Sequence, residues 1–318
     1  MTNFIDDMRN FLSAGFSSVK ILQNSKLNTV YTGDPYETGI NDTDPVGLKW
    51  APNAINFTRS LGRWGGVGKS PFSLPGASFS RPTPAYGISP VGALVTFASG
   101  QPRLSTTGLL LESQTLTNKV LAYNADPSIS LTGWNPEVGT VSAVTDPLSP
   151  TGKAVLWDST SGNLNIGGTV GNMNVHTFSA YVRSTISFSI GRSSGSSTGK
   201  TGYVASTVYQ RVSHMTAGSN TGNTLQFRAG VGQLWIILVQ LEDTTSISSP
   251  IVTLGSSAVR NADVASITVP FGCTTYSAVY GNSLQVVSGP VISGQTFDLV
   301  TGRPWLGLGN ELKTLIME

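Results

Sequence analysis

The longest uninterrupted apolar run in this 318-residue chain is Leu234-Trp-Ile-Ile-Leu-Val239, only six residues. That is the length of a buried strand, and far short of the roughly 20 residues a membrane-spanning helix needs. From about residue 78 onward such runs recur. They fall at 92–97, 108–111, 138–144, 154–157, 177–183, 186–190, 203–206, 210–213, 224–228 and 234–241. Turn-rich links separate them, for example the Ser/Gly/Thr stretches at 193–199 and 217–222. Short strands at this spacing indicate a β-sandwich or jelly roll. Composition agrees: charged residues are 11% of the chain, against about 25% in an average soluble protein. Glycine, serine and threonine fill the gap, and no repeat of fixed period is present.

The N-terminal 76 residues follow a different pattern. Phe4, Ile5, Met8, Phe11 and Leu12 form one apolar stripe, which predicts a helix over 3–14. Asp6 and Asp7 suit its N-terminal dipole, and Gly15 can end it. Three turns are marginal alone in water, so the stripe must dock, and it is the expected assembly anchor. Residues 23–77 show no periodicity and many turn signals, with Tyr31, Trp50, Phe57 and Trp64 among them. An arm laid across neighbouring proteins fits that pattern. The expected organisation is an anchoring helix and arm over 1–76, a sandwich over 77–265, and a small C-terminal β region over 266–318.

Several chemistries find little support. Nineteen basic and 17 acidic residues give a net charge of +2, and no basic patch interleaved with aromatics points to nucleic acid. The single cysteine, Cys273, permits neither an intrachain disulfide nor a CxxC metal pair, and reads as a buried thiol. The first residues carry acids where a signal peptide carries its basic region, so neither secretion by that route nor membrane insertion is expected. Gly65-Gly-Val-Gly-Lys-Ser70 resembles the end of a phosphate-binding loop. However, Arg63 stands where the first glycine is required, and Pro71 blocks the following helix. His176 and His214 show no metal-ligand spacing, so no metal site and no cofactor are expected. Glu112, Glu137, Asp158, Glu242, Asp243 and Asp263 are available as carboxylates, but none forms a paired glycosidase motif, and no catalytic residue is assigned. Trp134, in a Thr-Gly-Trp-Asn-Pro loop, and Trp157 are the candidates for stacking on a sugar, Trp134 the better of the two with core or interface packing as its other reading, while Trp235 and Tyr181 read as core.

An ordered set of segments resembles a family of bacteriophage virion proteins. It opens with Ala77-Ser-Phe-Ser-Arg-Pro-Thr-Pro-Ala-Tyr86 and continues through Gly100-Gln-Pro-Arg103, Gly108-Leu-Leu-Leu-Glu112 and Thr117-Asn118. Thr132-Gly-Trp134, the 176–183 strand and Tyr209-Gln-Arg-Val212 follow, the last with Tyr where the family has Trp. The 235–243 strand, Ser248-Ser-Pro-Ile-Val-Thr253 and Ala258-Val-Arg-Asn-Ala-Asp263 complete it. The similarity spans about 77–265. It implies a jelly-roll domain like a carbohydrate-binding module, found in tail fibres, spikes or peripheral head proteins. It transfers no catalytic residues.

Two strand-end glutamates, Glu112 and Glu242, follow apolar runs, and Arg81, Arg103 and Arg260 lie in the same segments. The expectation is a structural latch in which these arginines bind both carboxylates. The functional expectation is a non-enzymatic virion protein: a peripheral fibre- or spike-type adhesin touching host surface glycan. It would bind other virion proteins through its N-terminal region and assemble as a homotrimer. The alternatives are a capsid decoration or connector protein and, third, a polysaccharide depolymerase or esterase.

Overall fold

A computed structural model of the chain describes residues 76–88, 93–105, 108–170, 174–192, 199–216 and 223–318, together with strand segments at 20–21, 30–31, 54–56, 61–64 and 67–69. The expected helix with Phe4, Ile5, Met8, Phe11 and Leu12, and most of the expected arm, lie outside the described residues. Every regular element among the described residues is a β-strand.

Two long strands, Lys153–Val170 and Asn223–Glu242, organise the middle of the chain. They pair antiparallel from Val155 opposite Ile236 to Val170 opposite Asn223. Each serves two neighbourhoods. The first half of Lys153–Val170 pairs with Thr140–Thr145, and its second half pairs with Trp134–Pro136. Phe188–Arg192 pairs with residues 225–229 of the other long strand, while His176–Ser184 pairs with its residues 234–242. One eight-stranded sheet therefore has two leaves joined by shared strands. Both leaves bury side chains in one core, with Trp157, Phe178 and Ile236 from one leaf and Leu164, Ile190 and Phe227 from the other.

The buried alternation changes parity between the leaves. Val155 and Trp157 point inward before the change, Leu164 and Ile166 after it. Leu225 and Phe227 do so before the same point on the partner strand, Leu234 and Ile236 after it. Ser161, at φ 83°, and Gly232, at φ 152°, sit at the switch. A residue outside the extended conformation resets the two-residue period, as a bulge does. A Cβ on Gly232 would lie 2.6 Å from a methyl of Ile186. The free edges approach where the Tyr203 hydroxyl donates to the Ser213 carbonyl (2.6 Å) and accepts from the Ser213 amide (2.7 Å).

A second core draws on both ends of the described chain. Strand Leu312–Met317 is flanked by Ala54–Asn56 and Thr275–Tyr280, and Leu109 pairs with Leu312. A three-stranded sheet joins Ser78–Ser80, Val264–Thr268 and Thr296–Asp298. Leu109, Leu111, Ile267, Phe297, Trp305 and Leu315 pack together there with the buried Cys273. The expected division at residues 76 and 265 thus differs from the packing. Strands at 54–56, 78–80 and 108–110 complete the unit to which 266–318 belongs. Pairings across more than 150 residues leave no local pattern that would reveal them. Gly108 shows how close this approach is: its φ is 128°, and a Cβ there would lie 2.6 Å from the Leu312 carbonyl oxygen. Of the glycine-rich run near 65, the described Val67–Lys69 pairs antiparallel with Leu61–Trp64.

Candidate functional site

The residues quoted from the scattered segments converge on one buried polar seam between the two cores. Arg103 is its centre. Its guanidinium donates to Glu112, to Asp263 and to the Ser249 hydroxyl (2.6 Å). Arg81 donates to Asp263 (2.9 Å) and to the carbonyls of Ala98 and Gln101. Arg260 lies 3.4 Å from Glu112. The backbone ties the two acids together, because the Glu112 amide donates to the Asp263 carboxylate and the Asp263 amide to the Glu112 carbonyl. Arg81, Arg103, Arg260, Glu112 and Asp263 are all buried. Glu112 also accepts from the Ser249 amide (2.8 Å) and hydroxyl (2.6 Å).

Glu242 departs from the expected latch. It is buried, but its hydrogen-bond donors are Gln240 (2.9 Å) and the Ser248 hydroxyl (2.6 Å), not Arg81, Arg103 or Arg260. The reason is position: Glu242 ends a sandwich strand, whereas those arginines gather around Glu112 and Asp263. Arg211 is the cation that acts on it. Gln240 links the seam to the sandwich by accepting from the Ile251 amide (2.9 Å). Asn118 and Asn124 extend the network, each donating to the carbonyls of Val239 and Ile251. Asn124 also accepts the Leu238 amide at its carbonyl, which holds Leu238 in a positive-φ bulge.

The two glutamates are driven in opposite directions. Burial raises the Glu112 carboxyl, but Arg103, Arg260 and the Ser249 hydrogen bonds outweigh it and hold the group at about 2. At Glu242 burial prevails over Ser248, Arg211 and Gln240, with Glu112 adding repulsion, and the carboxyl rises above its ordinary range. Burial lowers Arg103, yet Glu112 and Asp263 reverse that and raise it. Glu112 and Asp263 thus form a pair of carboxylates with a guanidinium between them, closed to solvent. That geometry holds strands and gives neither acid access to a substrate. Asp263 and Ser249 were missed as latch members. Asp263 stood in the same short segment as Arg260, which was the available signal.

Trp134 is corrected. It is 3% exposed and packs in the sandwich core opposite Ile166, so its ring has no face for a sugar. The loop reading failed because Trp134 opens a strand whose alternation turns it inward. Trp235 and Tyr181, read as core, instead lie partly buried on the outer face under cations. Arg183 sits 3.7 Å from the centre of the Trp235 ring and Arg211 4.8 Å from that of Tyr181. Arg183 and the Tyr209 hydroxyl both donate to Asp146. His214 stacks on Phe178 and meets the Thr201 hydroxyl, while His176 faces Asp243 at 2.7 Å. Among the described residues no three His, Cys, Asp or Glu side chains are grouped to hold a metal ion.

The outer face of the second leaf, the one that holds Phe188–Arg192, is polar: Glu137 and Arg228 are exposed, Asn163, Asn165 and Lys200 are partly buried, and Gln226 is buried. Asn165 pairs with Gln226, Gln226 with Gly191, and Gly191 with Lys200, making one cross-strand row. Asn163, Arg228 and Ser189 make the next. Glu137 accepts from Asn163 (2.6 Å) and Asn165 (2.9 Å), and Gln226 donates to Asn165 (2.8 Å). Elsewhere, a cleft of about 180 Å³ is lined by Thr83, Tyr86, Ile251, Val259 and Arg260. It is smaller than the several hundred Å³ usual for organic-ligand sites. No protein-family model matches the sequence, and no curated protein does.

Proposed function

We propose that this chain is a non-enzymatic structural protein of a phage virion, a peripheral fibre- or spike-type adhesin that contacts host surface glycan. In this reading the two-leaf sandwich is the jelly roll, the N-terminal region binds other virion proteins, and the assembly is a homotrimer. The observation that carries the proposal is the seam. Residues from five of the segments that resemble phage virion proteins meet in one solvent-excluded ionic joint, and Asn118 and Gln240 from two more extend it by hydrogen bonds to the Ile251 backbone. Such a joint fixes two β-units rigidly and suits a passive, load-carrying part. It also saturates Glu112 and Asp263 with cations, which removes them from acid–base work.

One observation favours the connector reading as well. Phe271 is 99% exposed, and the adjacent turn carries the exposed Ile292, a surface that suits packing against another virion protein. Labelled-antibody imaging of purified particles tests both readings. Signal on fibre tips with binding of the full chain to host cells supports the adhesin, and signal at head–tail joints without cell binding supports the connector. Absence from particles overturns the proposal. Deleting residues 1–22 abolishes incorporation if the N-terminal region is the anchor. New reducing ends or released acetate from host polysaccharide would establish the enzyme instead.

A further inference from the structure

We propose that the polar outer face of the second leaf, presented by Glu137, Asn163, Asn165, Arg228 and Lys200 over the buried Gln226, is a binding site for an anion-bearing saccharide. This inference rests on the adhesin reading and names the ligand chemistry and the residues. Three features of the face carry it. First, its amides are fixed. Glu137 holds Asn163 and Asn165 by one oxygen each, and Gln226 holds Asn165, so the amide side chains of the two rows are pre-oriented. Amides fixed on a flat sheet match the alternating donors and acceptors of sugar hydroxyls, with little side-chain entropy left to lose.

Second, the face carries two cations that its single carboxylate does not neutralise. Arg228 is exposed, and its guanidinium makes no hydrogen bond or ion pair with the described residues. Lys200 lies in the adjacent row, close enough for Arg228 to act on it. Its ammonium is lowered by burial first and by Arg228 second, with Glu137 opposing. Glu137 itself is engaged by Asn163 and Asn165. The sum is one surplus positive charge, placed for a carboxylate or phosphate group. A guanidinium binds such a group through two parallel hydrogen bonds.

Third, the backbone leaves room. Gly191 lies between Gln226 and Lys200 in the row, and a Cβ there would meet the Lys200 side chain at 2.7 Å. The missing side chain leaves the space over Gly191 to the Lys200 stem. No aromatic ring is required, which fits the inward turn of Trp134.

The test uses the full chain and four immobilised probes: oligogalacturonate, oligosialic acid, poly(glycerol phosphate) and neutral dextran. The expected result is binding to at least one anionic probe, weakened by salt, and none to dextran. Preference between the carboxylate and phosphate probes identifies the anion. R228A and K200A should each weaken binding roughly tenfold or more, with little change in melting temperature because Arg228 is exposed and Lys200 only partly buried. Q226A should weaken it less. Wild-type affinity in the R228A/K200A double variant overturns the site, as does equal binding to dextran or binding to no anionic probe. Whole-cell adhesion separates the two levels: adhesion that persists in the double variant refutes this site and leaves the adhesin standing, whereas a wild-type chain that does not adhere refutes the adhesin.

Discussion

Replacing Glu112 with Gln tests the seam most directly. Glutamine keeps the shape and can still accept the Ser249 amide, but its amide nitrogen then stands where an oxygen accepts from Arg103 and the Ser249 hydroxyl, so the change removes the charge and that acceptor together. Arg103 would retain Asp263, but Arg260 would not be so well served. Its Nε and one Nη already lack an acceptor, and Glu112 is its ion-pair partner. The variant therefore leaves a buried cation uncompensated. A carboxyl lowered from 4.5 to about 2 corresponds to roughly 3 kcal/mol, at about 1.36 kcal/mol per pH unit. Breaking a buried pair from one side costs about 3–5 kcal/mol, which agrees. At roughly 2–4 °C per kcal/mol for a unit of this size, the melting temperature of E112Q should fall by about 6–12 °C at pH 7. The pH dependence adds an independent check. Because the folded-state value lies below the unfolded one, the stabilisation is complete above about pH 4.5 and is lost as pH falls toward 2. Differential scanning calorimetry of both proteins should show the gap narrowing across that window. A gap below about 2 °C at pH 7, or one that does not narrow in acid, would refute the reasoning.

Four further outcomes follow from the same structure. E242Q should behave oppositely: the raised carboxyl of Glu242 opposes folding as pH rises and it ionises, so the variant should match or exceed the wild type at pH 8 in urea denaturation, and a clear loss there would count against the assignment. G108A should destabilise by more than about 2 kcal/mol, since a Cβ meets the Leu312 carbonyl at a φ that disfavours any side chain; a wild-type melting curve would contradict it. W134A should cost about 3–5 kcal/mol while leaving glycan binding of the folded fraction unchanged, whereas lost binding with unchanged stability would restore Trp134 as a ligand contact. G232A should cost about 1–3 kcal/mol through the Ile186 contact and the strained φ, read by urea denaturation, and a neutral result would show that the corner between leaves is soft.

Much of the seam was legible before the structure. Glu112 stood out as a carboxylate ending an apolar strand, and Arg81, Arg103 and Arg260 because they lie in the segments that resemble the phage virion family. What misled was Glu242, which has the same local signature and a different surrounding. Its companion Arg211 sits in another segment, and nothing in the sequence brings the two together. Trp134 failed for a related reason. Gly133 and Pro136 mark a loop, yet the direction of the indole depends on pairing with Ile166, a residue 32 positions away. The amide face was invisible altogether. Glu137, Asn163, Asn165, Gln226, Arg228 and Lys200 are ordinary polar residues until cross-strand register sets them side by side.

The sequence by itself determined the class of structure. Six-residue apolar runs, frequent turns and scarce charge leave strands as the way to bury this chain, because short runs cannot form long helices and turn residues interrupt them. It also determined that buried charge would have to be paired, since an uncompensated ion in a core costs several kcal/mol. The tertiary structure alone decided which charges pair, which strands share a core and which rings face inward. Those outcomes depend on contacts between residues far apart in the chain, from Trp134 with Ile166 to Arg103 with Asp263 and Leu109 with Leu312. Local patterning fixes the period of a strand, and only long-range register fixes what lies opposite.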